Sequence, residues 1–297
     1  MNDTATPASN WDPSQYLRHA GHRTRPFLDL LARIPELPTT SGASAEGGAS
    51  AAGGGRGATA RRPARIADIG CGAGNVTVLL TDRWPDAHIT GLDTSREMLE
   101  AARDGYGGPT PGGGLLEFVT GDARTWTPEE PYDLIVSNAA LQWVPGHLGS
   151  FPAWVEGLAP GGTFAFQVPG NFACPSHLLL DDLRQSPRWR ERLGAGAGRL
   201  AGMIEPAEYL ATLEDLGCVA DVWETTYLQL LTGEDPVLDW TKGTALRPVL
   251  TALADDPEAA ADFTREYRDL LREAYPPGPH GTVFPFRRIF AVAHKGS

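Results

Sequence analysis

Residues 65–75 read Arg-Ile-Ala-Asp-Ile-Gly-Cys-Gly-Ala-Gly-Asn, and no other stretch of the chain constrains the fold as strongly. An apolar run ends in a turn carrying Gly70, Gly72 and Gly74, and the stretch from Val76 to Trp84 predicts a helix. Asp93 closes the next apolar run, 23 residues after Gly70. Strand, glycine turn, helix and a second strand ending in a carboxylate make a nucleotide-binding half-site. Glycines let a ligand approach the backbone, and the carboxylate takes ribose hydroxyls.

Two details separate this turn from the nicotinamide-dinucleotide fingerprint G-x-G-x-x-G. The third glycine comes one place early, with Asn75 where that fingerprint wants glycine, and Asp68 stands two residues before the first glycine. A carboxylate there repels a pyrophosphate but suits a phosphate-free ligand with positive charge. The pattern D-x-G-x-G-x-G resembles the first motif of the seven-stranded S-adenosylmethionine-dependent methyltransferases, whose cofactor carries a sulfonium and an amino group. A dehydrogenase is the rival reading of the glycines.

Later segments arrive in matching order. Thr94-Ser95 predicts a cap for a helix from Arg96 to Asp104. Leu115 to Thr120 predicts a third strand ending in Gly121-Asp122-Ala123, and Tyr132 to Asn138 a fourth, apolar enough to be buried on both faces. The resemblance implies a Rossmann-like, seven-stranded, mostly parallel α/β sheet with helices on both faces. It also implies cofactor contacts at Asp68, Gly70, Cys71, Gly72, Gly74 and Asn75, with Asp93 on the ribose and Thr94 and Met98 beside it. Asp122 and Ala123 then flank the adenine, and Asn138 and Ala139 lie near the methionine end.

A chain of 297 residues can bury one large core with a small appended cap. The net charge of −12 opposes a nucleic-acid surface, since phosphate contacts need clustered Lys and Arg. Cys71, Cys174 and Cys218 are too few and scattered for a disulfide framework, so a reducing cytoplasm is the expected compartment; a monomer is expected as well. Signal-peptide features and a bilayer-length apolar run are both missing from the sequence. His19 and His22, three apart without a third ligand nearby, do not make a metal site.

Three regions are expected. Residues 1–37 form a helical segment: Asp12-Pro13 opens a short helix through Ala20, and Thr24 caps a second that carries Pro26 in its first turn. Residues 38–64 are a flexible Gly/Ala-rich insertion. Residues 65–297 form the main domain, with Gly105 to Gly114 as a loop, Gly162 to Val168 as a fifth strand and Pro206 to Leu216 as a helix. The last two strands are Val219 to Leu231 and Val283 to Ala293; between them a helical lid spans roughly residues 236–275.

Blocks at both ends of the chain carry a more specific likeness. Asn10 to Leu17, Arg23 to Pro26, Leu30 to Pro35, Leu141 to Trp143 and Pro169 to Asn171 resemble the trans-aconitate methyltransferases. So do Trp223 to Tyr227, Asp239 to Thr241, Leu246 to Pro248 and Arg288 to Phe290. Gly170 and Phe172 depart from that pattern, where Asp and Trp are expected. The likeness implies a tricarboxylate substrate, hence arginines, whose planar fork grips a carboxylate through two parallel hydrogen bonds. Of the neighbouring Arg23 and Arg25 at most one reaches the site, and of Arg287 and Arg288 only one faces it, because strand residues alternate. Arg23, Arg247 and Arg288 are the expected anchors.

A carboxylate is already an ionised nucleophile at neutral pH, so no general base is expected. His22, Tyr16, Gln167 and Tyr227 are candidates to orient substrate oxygens, and Trp143, Trp240 and Phe172 to exclude water. Other methyltransferases of small carboxylic acids, hydroxyls or ring carbons remain open, as does a silent cofactor-binding module. Asn138-Ala139-Ala140-Leu141 lacks the Pro-Pro-aromatic pattern of nucleic-acid amino methyltransferases.

Overall fold

The computed structural model describes residues 20–37, 63–193 and 204–296. Eight strands form one sheet: β1 (Arg65–Ile69), β2 (His88–Asp93), β3 (Gly108–Pro109), β4 (Leu115–Thr120), β5 (Tyr132–Asn138), β6 (Leu158–Pro169), β7 (Cys218–Leu231) and β8 (Thr282–Lys295). Their spatial order is β3-β4-β2-β1-β5-β6-β8-β7. The pairs β4-β2, β2-β1, β1-β5 and β5-β6 are parallel, and β8 runs antiparallel between β6 and β7. The order reverses at β1, and open α/β sheets bind ligands in the crevice outside such a switch point.

The sheet holds one more strand than the seven expected. Within the glycine-proline stretch expected to be a loop, the Thr110 amide donates to the Gly114 carbonyl at 3.1 Å. That turn folds Gly108–Pro109 back as a two-residue antiparallel edge on β4.

Both faces of the sheet are covered. One carries Ile66, Ile89, Leu116, Leu134, Val136 and Phe290, packed under the helices α1 (Ala20–Leu31), α2 (Leu79–Arg83) and α3 (Arg96–Tyr106). The other carries Ile69, Ile135, Phe164, Phe166 and Ile289 beneath α4 (Phe151–Glu156) and α7 (Pro206–Asp215); the helices α5 (Pro175–Gln185) and α6 (Arg190–Leu193) lie between these two in sequence. All seven residues of β5 are buried, as expected for a central parallel strand.

Two helix boundaries differ from expectation. A single helix runs through Thr24 and Pro26, so Thr24 is not its cap. The mimicry is local: Thr-x-Pro looks like a helix start, but Phe27, Leu30 and Leu31 bury against the sheet, and that burial outweighs the hydrogen bond a mid-helix proline forfeits. Arg83 then binds the α1 end by donating to the Leu31 and Ile34 carbonyls. The helix expected from Val76 starts only at Leu79. The amides of Leu79, Leu80 and Thr81 bond three residues back rather than four, across the β-branched run Val76-Thr77-Val78.

The strands β7 and β8 extend past the carboxyl end of β6, because Pro169, its last residue, pairs with Arg288. Their projecting end is wrapped by α5, α6 and three helices of the expected lid: α8 (Pro236–Lys242), α9 (Arg247–Ala252) and α10 (Pro257–Ala274). This unit has its own core, with Trp189, Leu246, Phe263 and Tyr267 packed around Phe284 and Phe286. Tyr267 Oη donates to the Ser176 carbonyl at 2.7 Å, and the Ser176 amide donates to Tyr275 Oη at 3.0 Å, tying α5 to α10.

Candidate active site

The end of β1 and the end of β2 are bound to one another by the glycine turn. Gly70, Gly72 and Gly74 all have positive φ, at 76°, 56° and 76°. The Gly70 and Cys71 amides both donate to the Leu92 carbonyl, at 2.7 and 3.0 Å. A Cβ on Gly70 would sit 2.2 Å from the Ala140 Cβ, whereas one on Gly72 would meet nothing within 4 Å. Gly70 is therefore required by packing, and Gly72 opens a space beside the turn.

Asp93 organises the rim of that space. Its Oδ2 accepts from the Gly72 amide at 2.9 Å and its Oδ1 from the Ser95 amide at 2.9 Å. Ser95 in turn caps α3, its Oγ accepting from the Met98 amide, with Met98 buried behind it and Thr94 exposed. A carboxylate oxygen has a second lone pair, so Asp93 keeps acceptor capacity for two hydroxyls.

Asp68 is 1% exposed, and its Oδ2 accepts from Thr77 Oγ1 at 2.6 Å. Its Oδ1 is buried with no hydrogen-bond partner. Burial, with a smaller push from Asp93, raises the pKa of Asp68 to about 7 against the bond from Thr77. An orphaned carboxylate oxygen at the glycine turn is a site prepared for a cationic donor. Thr77, whose hydroxyl holds Asp68, is a residue that spacing did not single out. Burial, Asp68 and Asp93 push the Cys71 thiol far up, so Cys71 stays protonated and fills space.

Asn75 and Ala123 are half-buried near the same edge. Asp122 is held by Arg124, whose Nε lies 3.0 Å from both carboxylate oxygens and lowers its pKa, so any amino group donating to Asp122 shares it with that guanidinium. Ala139 has a φ of 53°, a strained value for a residue with a Cβ, held by its amide's bond to the Gln167 carbonyl at 2.9 Å.

Polar groups join this turn to the far side of the edge. Gln167, fully buried, donates from Nε2 to Asn138 Oδ1 and accepts at Oε1 from Arg288 Nη1 at 3.1 Å. Arg288 is 4% exposed and lies over the Phe286 ring at 4.5 Å. Its neighbour Arg287 pairs with Glu224 and Glu205 on the other face, as strand alternation requires. Tyr227 Oη donates to Asp29 Oδ2 at 2.6 Å, with the Arg25 guanidinium 5.0 Å above its ring. Tyr227 thus locks α1 to the sheet.

The remaining candidates are more dispersed. Tyr16 lies outside the described residues, as do the side chains of His22 and Arg23, whose backbone is in α1. Arg247 opens α9 and is half-buried, and Trp143 is 42% exposed. Trp240 is not an exposed wall: it is 3% exposed and packs on Phe286 at 5.4 Å, supporting the ring that carries Arg288. Phe172 packs edge-on to His177. Asn171 belongs to a block that carries the family likeness but was not among the expected site residues; it is 2% exposed with both side-chain amide atoms unpartnered. Among the described residues no group of three His, Cys, Asp or Glu is placed to hold a metal.

The turn geometry makes one residue decisive. Gly70→Ala forces a 2.2 Å clash and an unfavourable φ, so it should abolish binding of an adenosyl ligand in calorimetry and lower the melting temperature.

A methyltransferase-domain family model matches residues 66–162, which run from β1 into β6. Trans-aconitate 2-methyltransferase of Streptomyces avermitilis is 62% identical over 287 residues, 96% of this chain and 97% of that protein. The protein of the same name from Streptomyces coelicolor is 59% identical, covering 97% of this chain and 88% of that one. That of Rhodococcus jostii is 46% identical, covering 95% and 98%. With identities of this size over nearly the whole chain, the chain belongs to the trans-aconitate 2-methyltransferase family.

Proposed function

We propose that the chain transfers the methyl group of S-adenosylmethionine to a carboxylate of trans-aconitate. The observation that carries this reading is Arg288, a guanidinium buried at the carboxyl edge of the sheet and joined through Gln167 to the strand end beside the cofactor turn. A neutral acceptor gives no reason to bury a cation there. The cofactor fits the other half of the edge: Asp68 offers an orphaned oxygen to its ammonium, Asp93 spare lone pairs to its ribose, and Gly72 open space.

Bound there, S-adenosylmethionine supplies an electrophilic methyl on a sulfonium, and its loss to a carboxylate oxygen yields S-adenosylhomocysteine and a monomethyl ester. The protein's task is alignment. Arg288 grips an acid carboxylate, with Arg247 of α9 as the second cation on the helical side. Tyr227 holds α1 over the edge through Asp29. No side chain needs to move a proton, because the acceptor is ionised at neutral pH. Positioning of this kind can supply about 7–11 kcal/mol. The helical unit on β7 and β8 covers the same edge and limits water, which favours the meeting of anion and cation. No helix among the described residues is long and apolar enough to cross a membrane.

Methyl transfer from labelled cofactor to trans-aconitate, cis-aconitate, citrate and isocitrate tests the reading directly. Clear preference for trans-aconitate with a base-labile product is expected; transfer to none of them overturns it. Arg288→Lys keeps the charge but loses the planar fork, and should raise KM for the acid about ten- to a hundredfold while leaving cofactor affinity intact.

A pH dependence follows from Asp68. Its raised pKa means that the unliganded site holds a proton below about pH 7. An ammonium partner takes the ionised form, so binding expels that proton and strengthens as pH rises. Affinity for S-adenosylhomocysteine should climb by about tenfold per pH unit up to pH 7 in calorimetry. Asp68→Asn should bind weakly with a flat profile.

A further inference from the structure

The bonds from Arg288 through Gln167 to Asn138 have a direction that chemistry dictates. A guanidinium has donors and no acceptor, so the Gln167 atom facing Arg288 Nη1 at 3.1 Å must be the amide oxygen. The Gln167 nitrogen is thereby turned toward Asn138, and only the Asn138 oxygen can receive it. The Asn138 NH2 is then the end left for the carboxyl edge. One fixed positive charge on β8 sets the orientation of two amides on β6 and β5, which otherwise flip at little cost.

The strand register makes this chain of bonds short and rigid. Asn138 pairs with Gln167 in the β5-β6 ladder, and Arg288 is paired with Pro169, two residues further along β6 on the same face as Gln167. Gln167 is fully buried, so no water competes for its amide. The backbone repeats the link, since the Gln167 carbonyl accepts from the amide of Ala139, the next residue after Asn138. With both ends of its side chain engaged and no exposed surface, Gln167 does not touch substrate, which replaces the direct contact expected from sequence.

We propose that Gln167 is a positioning residue that transmits the polarity of Arg288 to Asn138 and so presents a hydrogen-bond donor to a carboxylate at the point where cofactor and acid meet. That carboxylate belongs either to the methionine end of the cofactor or to the acid acceptor. The inference rests on reading this edge as the methyl-transfer site.

The test is a double-mutant cycle. Gln167→Glu keeps an oxygen for Arg288 but offers a second oxygen to Asn138. The Asn138 amide must then flip and turn its own oxygen outward. Asn138→Ala removes the end of the relay, while any direct repulsion by a new charge at position 167 stays. Dissociation constants for S-adenosylhomocysteine, KM and kcat for trans-aconitate, and melting temperatures are measured for the wild type, both single variants and the double variant.

With Asn138 in place, Gln167→Glu should weaken one constant about ten- to a hundredfold with the melting temperature unchanged. In the Asn138→Ala background it should cost less than about twofold, because the groups act as one unit. A rise in the cofactor constant assigns the donor to the methionine carboxylate; a rise in KM alone assigns it to the acid. Equal cost in both backgrounds overturns the relay in favour of plain charge repulsion, and so does no cost with Asn138 in place. If the wild type methylates no acid, the functional reading fails, while the cycle is still decided by the cofactor constant.

Discussion

Two amides on one carbonyl hold this architecture to its function. Gly70 and Cys71 both donate to Leu92, which clamps the end of β1 to the end of β2 and forces the chain through a left-handed turn. The turn leaves room for one side chain, that of Ala140, at the position a Gly70 Cβ would claim. With the three strand ends so fixed, Asp68, Asp93 and Asn138 reach one edge of the sheet. Everything distinctive about the site is then built on the strands beyond β5.

The edge divides by charge. On the β1-β2 side stand carboxylates, one of them buried, with one oxygen unpartnered and its pKa raised to about 7. On the β6-β8 side stands a buried arginine over an aromatic ring. In the proposed reading a cationic cofactor and an anionic acid occupy opposite sides and meet near Asn138. The chain's net charge of −12 is compatible with an anionic substrate because the cation that matters is inside. Trp240, buried in the helical unit, packs on Phe286, the ring over which that cation lies.

Much of this was legible in residue order. Glycine spacing with Asp68 and Asp93 foretold the turn between β1 and α2, since each glycine there has a positive φ that few other residues adopt. Alternation said that one of Arg287 and Arg288 faces inward; only the β8 register, with Glu224 and Glu205 on the outer face, says which. Thr77 was hidden in a β-branched run that reads as packing, and its hydroxyl matters only because Asp68 folds against it. Thr24 and Pro26 imitated a helix start, and tertiary burial of Phe27 and Leu30 overrode the local signal. The role of Gln167 could not be read from one strand, because it consists of partners on two others.

The central claim is that a carboxylate of the acid sits on Arg288 while Asp68 takes the cofactor's ammonium. A crystal structure with S-adenosylhomocysteine and trans-aconitate bound together tests it most directly. The account predicts an acid carboxylate within hydrogen-bond reach of the Arg288 guanidinium and the cofactor amino group on Asp68 Oδ1. An acid held elsewhere, with Arg288 bonded only to Gln167 and other protein groups, would contradict it.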